Sequence, residues 1–343
     1  MNLVPSRRDS GPIDHPWPPP HGYRDFLEES IERDPLVAGE LTIDRVSTLI
    51  SGLPGHLRSH AEALMSRHGY GHVGSGEGPH ANVLGHPLLH LPIWVDAASD
   101  GKVDEPIMTD ILESSLCGYL AVRAEDDYFD GHWDHPKAAM MLSTFFRSRH
   151  QALLANHIGD RRFWVRFEEL WRGYADAMLH ESELTDISSE YGPEDFDRVL
   201  ARSQPLEIPA NAVLAVKGLW DRASRVGELV GRLTKATQLF DDFVDAPEDL
   251  AAGNYTPMVR RLGGAEGEQV LRRNMVVSCD AVFEEIYEEL DQAVATGTAL
   301  GLTEIEDWVE TRKTEIDLAS KRMYRALFER LGSLIDPDAS PDA

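Results

Sequence analysis

Two short acidic segments are the part of the sequence best suited to chemistry. Both repeat the spacing Asp-Asp-x-x-Asp, and together they supply Asp126, Asp127, Asp130, Asp241, Asp242 and Asp245. Two like charges about 4 Å apart repel by roughly 4 kcal/mol at an effective dielectric constant near 20. Bound divalent cations would remove this repulsion. An all-oxygen ligand set favours Mg²⁺, which usually shares its coordination shell with substrate phosphate.

A single motif of this kind carries little weight. The chain has 59 acidic residues, and one Asp-Asp-x-x-Asp is usually a solvated helix end. Two copies, each in line with a stripe of residues unsuited to solvent, favour bound cations over solvated helix ends.

Helices must position these aspartates. At about 100° per residue, small and polar side chains on one face lead to the second motif: Gly227, Gly231, Thr234, Gln238, Asp241 and Asp245. An apolar wall leads to the first motif: Met108, Leu112, Ser115, Tyr119, Val122, Asp126 and Asp130. If the two helices face each other, an apolar slot lies beneath a mouth of carboxylates. Asp127 and Asp242 project about 100° away from these faces, which makes them weaker ligand candidates.

Helical spacing predominates along the chain and alternating strand patterns are absent. We therefore predict an all-α fold, with one large helical domain over residues 23–332, a flexible Pro-rich head over 1–22 and a disordered tail over 333–343. The predicted helices are 24–33, 42–67, 86–98, 105–130, 136–157, 161–182, 193–202, 210–245, 266–297 and 302–331. Each acidic motif is expected to end its helix, because Gly131, Pro136 and Pro247 follow closely.

Composition narrows the function classes. The net charge of −26 argues against nucleic acid and anionic membranes as partners. Two cysteines form no disulfide framework and suit a reducing compartment. The N-terminus lacks the apolar core of a signal peptide, and no run of about 18 apolar residues could span a bilayer. We expect a soluble cytoplasmic protein.

The two motifs and their surroundings resemble those of the trans-isoprenyl diphosphate synthase (polyprenyl synthetase) superfamily, among the class I isoprenoid enzymes. "EDDYFD" is similar to that family's first aspartate-rich motif, and "QLFDDFVD" is similar to its second, including Gln238 three residues before the aspartate pair. "EDLAAGNYTPMV" is similar to the segment that follows the second motif. The resemblance covers about residues 86–262.

This resemblance implies an all-α fold around a central cavity, usually in a homodimer. It further implies three Mg²⁺ ions that hold an allylic prenyl diphosphate between the motifs, with Asp126, Asp130, Asp241 and Asp245 as the best ligand candidates. Metals and basic side chains would absorb the charge of the leaving diphosphate. An allylic carbocation would then remain in a slot that excludes water.

The basic residues that chain elongation requires are missing. Elongating members carry Gly-Lys-Arg-x-x-Arg-Pro to bind isopentenyl diphosphate, whereas this chain has "HANVLGHPLL". Those members also carry an Arg pair after the first motif, where "GHWDHPKAAM" offers only Lys137. Arg202 in "ARSQP" is the stand-in for the family's Lys-Thr contact with diphosphate. A second diphosphate therefore has no evident site.

Three functions remain open. If the cation closes on itself and loses a proton, the protein is a terpene synthase, which the sequence slightly favours. If a non-standard acceptor captures the cation, it is a prenyltransferase of specialised metabolism. The usual bacterial cyclase pattern Asn-Asp…Ser…Glu is absent. A non-catalytic protein that binds a prenyl ligand or a partner would also agree with the missing cations.

The side chains that line the slot should bind the substrate. The predicted set is Ser115, Tyr119, Val122, Gly231, Thr234 and Gln238, together with the cations Lys137 and Arg202. Tyr119 lies two turns before Asp126, so we predict that it limits the depth of the slot. Five histidines between positions 68 and 90 are interpreted as part of a polar loop, because the zinc motif His-Glu-x-x-His is absent.

Overall fold

The computed structural model describes residues 37–68, 89–129, 131, 133, 135–184 and 193–335. Over these residues the chain is helical and has no strand, which confirms the predicted all-α class. The α-helices, in chain order, are α1 (Val37–Ser51), α2 (Gly55–Arg67), α3 (His90–Ala97), α4 (Glu105–Phe129), α5 (Pro136–Ala155), α6 (Arg161–Leu184), α7 (Pro193–Leu200), α8 (Ile208–Val216), α9 (Ala223–Ala252), α10 (Pro257–Arg261), α11 (Glu268–Leu300) and α12 (Ile305–Ile335). Short 3₁₀ helices span Ala201–Glu207, Trp220–Arg222 and Gly264–Glu266.

Two of the predicted helices are each divided. The predicted helix 42–67 breaks between α1 and α2 at Pro54, because proline has no N–H to continue the hydrogen-bond ladder. The predicted helix 210–245 breaks after α8, where Gly218 has a φ of 71°. This left-handed conformation favours glycine and ends an α-helix. The predicted helix 24–33 and the head 1–22 lie outside the described residues.

Helix α9 continues past the second acidic motif, so the prediction that Pro247 ends it is wrong. The helix runs to Ala252 and ends at Gly253, which has a φ of 79°. Asp241 and Asp245 therefore lie inside the helix. The first motif behaves as predicted, since α4 ends at Phe129.

Two groups of buried apolar side chains hold the helices together. The larger group joins α3, α6, α8, α9, α10 and α11, and the smaller one joins α1, α2, α4 and α5. Helix α4 belongs to both, because Ile111 lies in the larger group and Leu116 in the smaller. The apolar helix α8 contacts α3, α4, α6 and α9. Helix α8 thereby connects α4 and α9. Helix α4 also packs along α5, and helix α9 packs along α11.

The C-terminal helix is longer than the sequence predicts. Helix α12 runs to Ile335, three residues into the segment predicted as a tail. None of the helices described is long and apolar enough to cross a membrane.

Candidate active site

A cavity of about 1010 Å³ lies between α4, α6 and α9. Both acidic motifs reach its wall, through Asp126 from α4 and through Asp241, Asp242 and Asp245 from α9. The cavity is at the upper end of the volumes that protein pockets use for small ligands. Asp130 lies outside the described residues.

Below Asp126, the predicted face of α4 forms one wall of the cavity. Ser115, Tyr119 and Val122 all line it, at successive turns of the helix. The 3₁₀ helix Ala201–Glu207 contributes Arg202 to the wall, and α9 contributes Gln238. The structure thus brings five of the predicted substrate-binding residues to one cavity that also contains the acids.

The three other predicted substrate-binding residues lie elsewhere. Lys137 is exposed at the start of α5, Thr234 is buried in α9, and Gly231 is exposed on α9; none of them lines the cavity. One small residue of α9 has a packing reason instead. A Cβ atom at Gly227 would collide with the carboxylate of Glu207, whereas a Cβ atom at Gly231 would meet open space.

Asp127, predicted as a metal ligand, does not line the cavity. It is only 4% exposed, and its Oδ2 accepts hydrogen bonds from Arg67 Nη1 at 3.0 Å and from His68 Nε2 at 3.3 Å. Burial, reinforced by the charge of Arg123, lowers the pKa of His68 to about 4. Asp127 therefore fastens the end of α2 to α4.

The acids of the second motif have few partners. Asp241 and Asp245 make no hydrogen bond or ion pair with any described residue. Burial, together with the charges of Asp245 and Asp242, raises the pKa of Asp241 to about 7. Burial raises the pKa of Asp242 to about 7, although Arg202 and a hydrogen bond from Gln238 oppose the shift. Burial and Glu248 raise the pKa of Asp245 to about 6.

Two further acids extend this row. Glu248 and Asp249, in the last turn of α9, also line the cavity. Burial and the charge of Asp245 raise the pKa of Asp249 to about 6. The sequence analysis missed both as site residues because Pro247 was expected to end the helix before them. Their signal was the continuation of the acidic spacing through "DAPED".

The acids of the first segment are paired with cations. Arg123 Nη1 lies 3.0 Å from Asp126 Oδ2, and Arg147 Nη2 lies 2.7 Å from both carboxylate oxygens of Glu125. Arg123 also lines the cavity. The sequence analysis missed it, although its position three residues before Asp126 on the same helix was a usable signal.

Arg202 is the second cation on the cavity wall. Its Nη1 contacts the carboxylate oxygens of Glu181 at 2.6 and 2.7 Å. Its Nη2 donates to Gln238 Oε1 at 2.6 Å, and the Gln238 amide donates in turn to Asp242. This chain links α6, the 3₁₀ helix and the second motif, and it places a guanidinium beside the acids.

The donor set fits Mg²⁺. Within the described part of the chain, no three Asp, Glu, His or Cys side chains converge as a complete metal site. Mg²⁺ does not need one, because it keeps several waters and commonly takes one or two carboxylates plus substrate phosphates. The unpaired oxygens of Asp241 and Asp245, whose ionisation burial opposes, are suited to such a cation.

Comparison with known proteins finds a similar fold among solved structures. No protein-family model and no curated protein matches the chain. An isoprenoid synthase family member from Thermotoga neapolitana is 14% identical, with a TM-score of 0.57 over 80% of this chain and 98% of that one. Heptaprenyl diphosphate synthase from Staphylococcus aureus is 14% identical, with a TM-score of 0.58 over 81% of this chain and 96% of that one. Geranylgeranyl pyrophosphate synthase from Lactobacillus brevis is 12% identical, with a TM-score of 0.61 over 87% and 99%. These similarities confirm the isoprenoid synthase fold that the sequence predicts.

Proposed function

We propose that this protein is an enzyme that ionises an allylic prenyl diphosphate in the presence of Mg²⁺. One observation carries the proposal: carboxylates of both motifs and the apolar wall of α4 lie in the same cavity of about 1010 Å³. A charged diphosphate would sit among the acids and their metals, and its hydrocarbon chain would lie along α4. The fold shared with two prenyl diphosphate synthases supports this class of substrate.

The acids and arginines have distinct roles in this proposal. Asp126 on α4, together with Asp241 and Asp245 on α9, would hold the metal ions, with Asp130 implied by the sequence resemblance. When bound, Mg²⁺ neutralises the charge that develops on a leaving diphosphate. Arg123 and Arg202 would turn from their carboxylate partners to donate hydrogen bonds to the diphosphate oxygens.

The lower cavity would protect the carbocation. Val122 and Leu206 give its wall apolar surface, and Trp171 and Tyr174 line it as well. The negative face of an aromatic ring attracts a cation, by up to about 2 kcal/mol where water is excluded. Arg147 already lies over the Trp171 ring at 4.1 Å from its centroid, so that ring has only one face left for a cation in the cavity.

We favour a terpene synthase over chain elongation. The cations found on the described cavity wall, Arg123 and Arg202, are each paired with a carboxylate. This arrangement offers charge for one diphosphate and little for a second one. A prenyltransferase with another acceptor is the second candidate, because two of the similar structures are prenyl diphosphate synthases.

The cellular compartment and the oligomeric state are also part of the proposal. Cys117 and Cys279 are buried free thiols, which suits the reducing cytoplasm. We also propose a homodimer, on the sequence resemblance alone.

The test is incubation of the purified protein with C10, C15 and C20 prenyl diphosphates and Mg²⁺, with and without isopentenyl diphosphate. A hydrocarbon or alcohol made from one substrate alone supports the terpene synthase. Longer prenyl diphosphates would replace it with chain elongation. Release of diphosphate without a volatile product would point to another acceptor.

A binding measurement separates an enzyme from a non-catalytic relative. Mg²⁺ and inorganic diphosphate at 100 times their dissociation constant should stabilise the protein by about 2.7 kcal/mol. No shift, or an equal shift in Asp241→Ala, would contradict the proposed metal site.

A further inference from the structure

His150 lies on the cavity wall and leaves one ring nitrogen unused. It comes from α5, is 2% exposed, and lines the cavity. Its ring stacks on Phe167, with centroids 5.4 Å apart and planes 25° apart, and meets the Trp171 ring edge-on at 5.8 Å. The ring is therefore held in one orientation by aromatic neighbours.

The hydrogen bonds of His150 fix its tautomer. Nδ1 lies 2.9 Å from the backbone oxygen of Ser114 and 2.7 Å from its Oγ. A carbonyl oxygen only accepts hydrogen bonds, so Nδ1 carries the proton. The Ser114 hydroxyl donates its own proton to the backbone oxygen of His150 at 3.0 Å. The neutral ring consequently has its lone pair on Nε2.

The lone pair on Nε2 has no partner among the described residues. The indole Nε1 of the neighbouring Trp171 has none either. Buried polar atoms are nearly always hydrogen-bonded, so an unpartnered one calls for a functional explanation or a bound molecule. Burial lowers the pKa of His150 to about 4, which keeps the imidazole neutral and able to accept a proton at neutral pH.

The surrounding helices bring the ring to the substrate channel. Gly118 on α4 lines the cavity, and a Cβ there would lie 3.2 Å from Cε1 of His150. Ser114, the partner of Nδ1, precedes Asp126 by twelve residues, which is about 18 Å along an α-helix.

We propose that Nε2 of His150 accepts the proton whose loss ends the reaction. The C–H bond next to the cationic carbon breaks, its electron pair forms the new C=C bond, and the proton adds to Nε2. A weak base suffices, because such a C–H group is a far stronger acid than an imidazolium. The imidazolium then passes the proton to solvent when the product leaves. This inference rests on the proposed ionisation of a prenyl diphosphate.

Two variants test the assignment. His150→Asn keeps a donor for the Ser114 carbonyl, and His150→Phe keeps a ring for stacking on Phe167; both lack Nε2. Diphosphate release in a single turnover should stay within about threefold of wild type. The share of the wild-type olefin should fall at least about tenfold, with alcohols or isomeric olefins in its place. Phe167→Leu, which disturbs the packing but keeps Nε2, should retain the wild-type olefin.

Failure of the His150 assignment can be distinguished from failure of the proposed function. Unchanged products in both variants, with normal diphosphate release, would overturn the role of His150 and leave the proposed function intact. If the wild type releases no diphosphate, the proposed function fails and the inference falls with it. If it only elongates its substrates, the terpene synthase fails and the inference falls with that. A measurement that needs no variant is ¹⁵N NMR of the His150 ring in the wild type, which reports whether Nε2 is protonated. Protonated Nε2 at pH 7 would overturn the inference, and bare Nε2 would support it.

Discussion

The two acidic motifs share a spacing but differ in their electrostatics. On α4, Asp126 is paired with Arg123 and Asp127 is buried against Arg67 and His68. On α9, Asp241 and Asp245 have no such partners among the described residues, and burial raises the pKa of both. Protein cations thus pair with Asp126 and Asp127 of the first motif, whereas Asp241 and Asp245 of the second would need an external cation to balance their charge. The same five-residue pattern therefore has paired carboxylates on one helix and unpaired ones with raised pKa values on the other.

The largest expected effect comes from substitution of the second motif. Asp241→Asn should lower kcat/KM for diphosphate release about 10³-fold, equivalent to ~4 kcal/mol of transition-state stabilisation. Asp126→Asn should cost only about 10²-fold, because it frees Arg123 to contact the diphosphate. Steady-state kinetics with one prenyl diphosphate checks both values. An equal or larger loss for Asp126→Asn would reverse the comparison.

Proton competition at the second motif should make metal binding depend on pH. The pKa values of about 7 for Asp241 and Asp242 mean that these groups gain protons as the pH falls below 7. Affinity for Mg²⁺ with inorganic diphosphate should then fall about tenfold per pH unit for each proton displaced. Calorimetry in buffers of different ionisation enthalpy counts those protons. An affinity that stays constant between pH 8 and 6 would contradict the raised pKa values of these acids.

Asp127 should behave as a structural residue. Asp127→Asn loses the ion pair with Arg67 and should destabilise the fold by about 1–3 kcal/mol, measured by denaturant unfolding. Turnover at a temperature where the variant is folded should stay within about threefold of wild type. A loss of turnover as large as that of Asp241→Asn would instead return Asp127 to the metal site.

The smallest effects should come from the helix faces below the motifs. Tyr119→Ala deepens the cavity on the α4 side and should shift preference toward a longer prenyl diphosphate by about tenfold in kcat/KM. Gly231→Ala on the exposed part of α9 is the matched control, since a Cβ there meets open space. It should leave specificity unchanged and stabilise the helix by about 0.5–1 kcal/mol. Competition between C15 and C20 substrates measures the first effect, and thermal unfolding measures the second.

Helical periodicity explains which cavity-lining residues could be predicted from the sequence. The face of α4 that carries Ser115, Tyr119 and Val122 follows from 3.6 residues per turn, and it reaches the cavity as predicted. The equivalent face of α9 reaches the cavity only in its later turns, through Gln238, Asp241 and Asp245, whereas Glu207 packs against its first turns at Gly227. Such an obstruction comes from a distant segment and leaves no trace in the local spacing.

Helix boundaries at prolines could not be predicted from the sequence either. Pro54 ended a helix and Pro247 did not, so the residue type alone could not distinguish a break from a tolerated proline. The partner of Arg202 was equally hidden, because Glu181 lies 21 residues away on another helix. The fold class depended only on helical periodicity, and it was predictable.

The chain from Glu181 through Arg202 and Gln238 to Asp242 has a thermodynamic consequence. When a bound anion pairs with Arg202, the carboxylates of Glu181 and Asp242 lose part of their compensating positive charge. The resulting negative charge raises the affinity of the cavity for a divalent cation. A cation bound first weakens the hold of the acids on Arg202 and raises the affinity for the anion by the same factor, as linkage requires. Metal and diphosphate should therefore bind cooperatively, each poorly without the other.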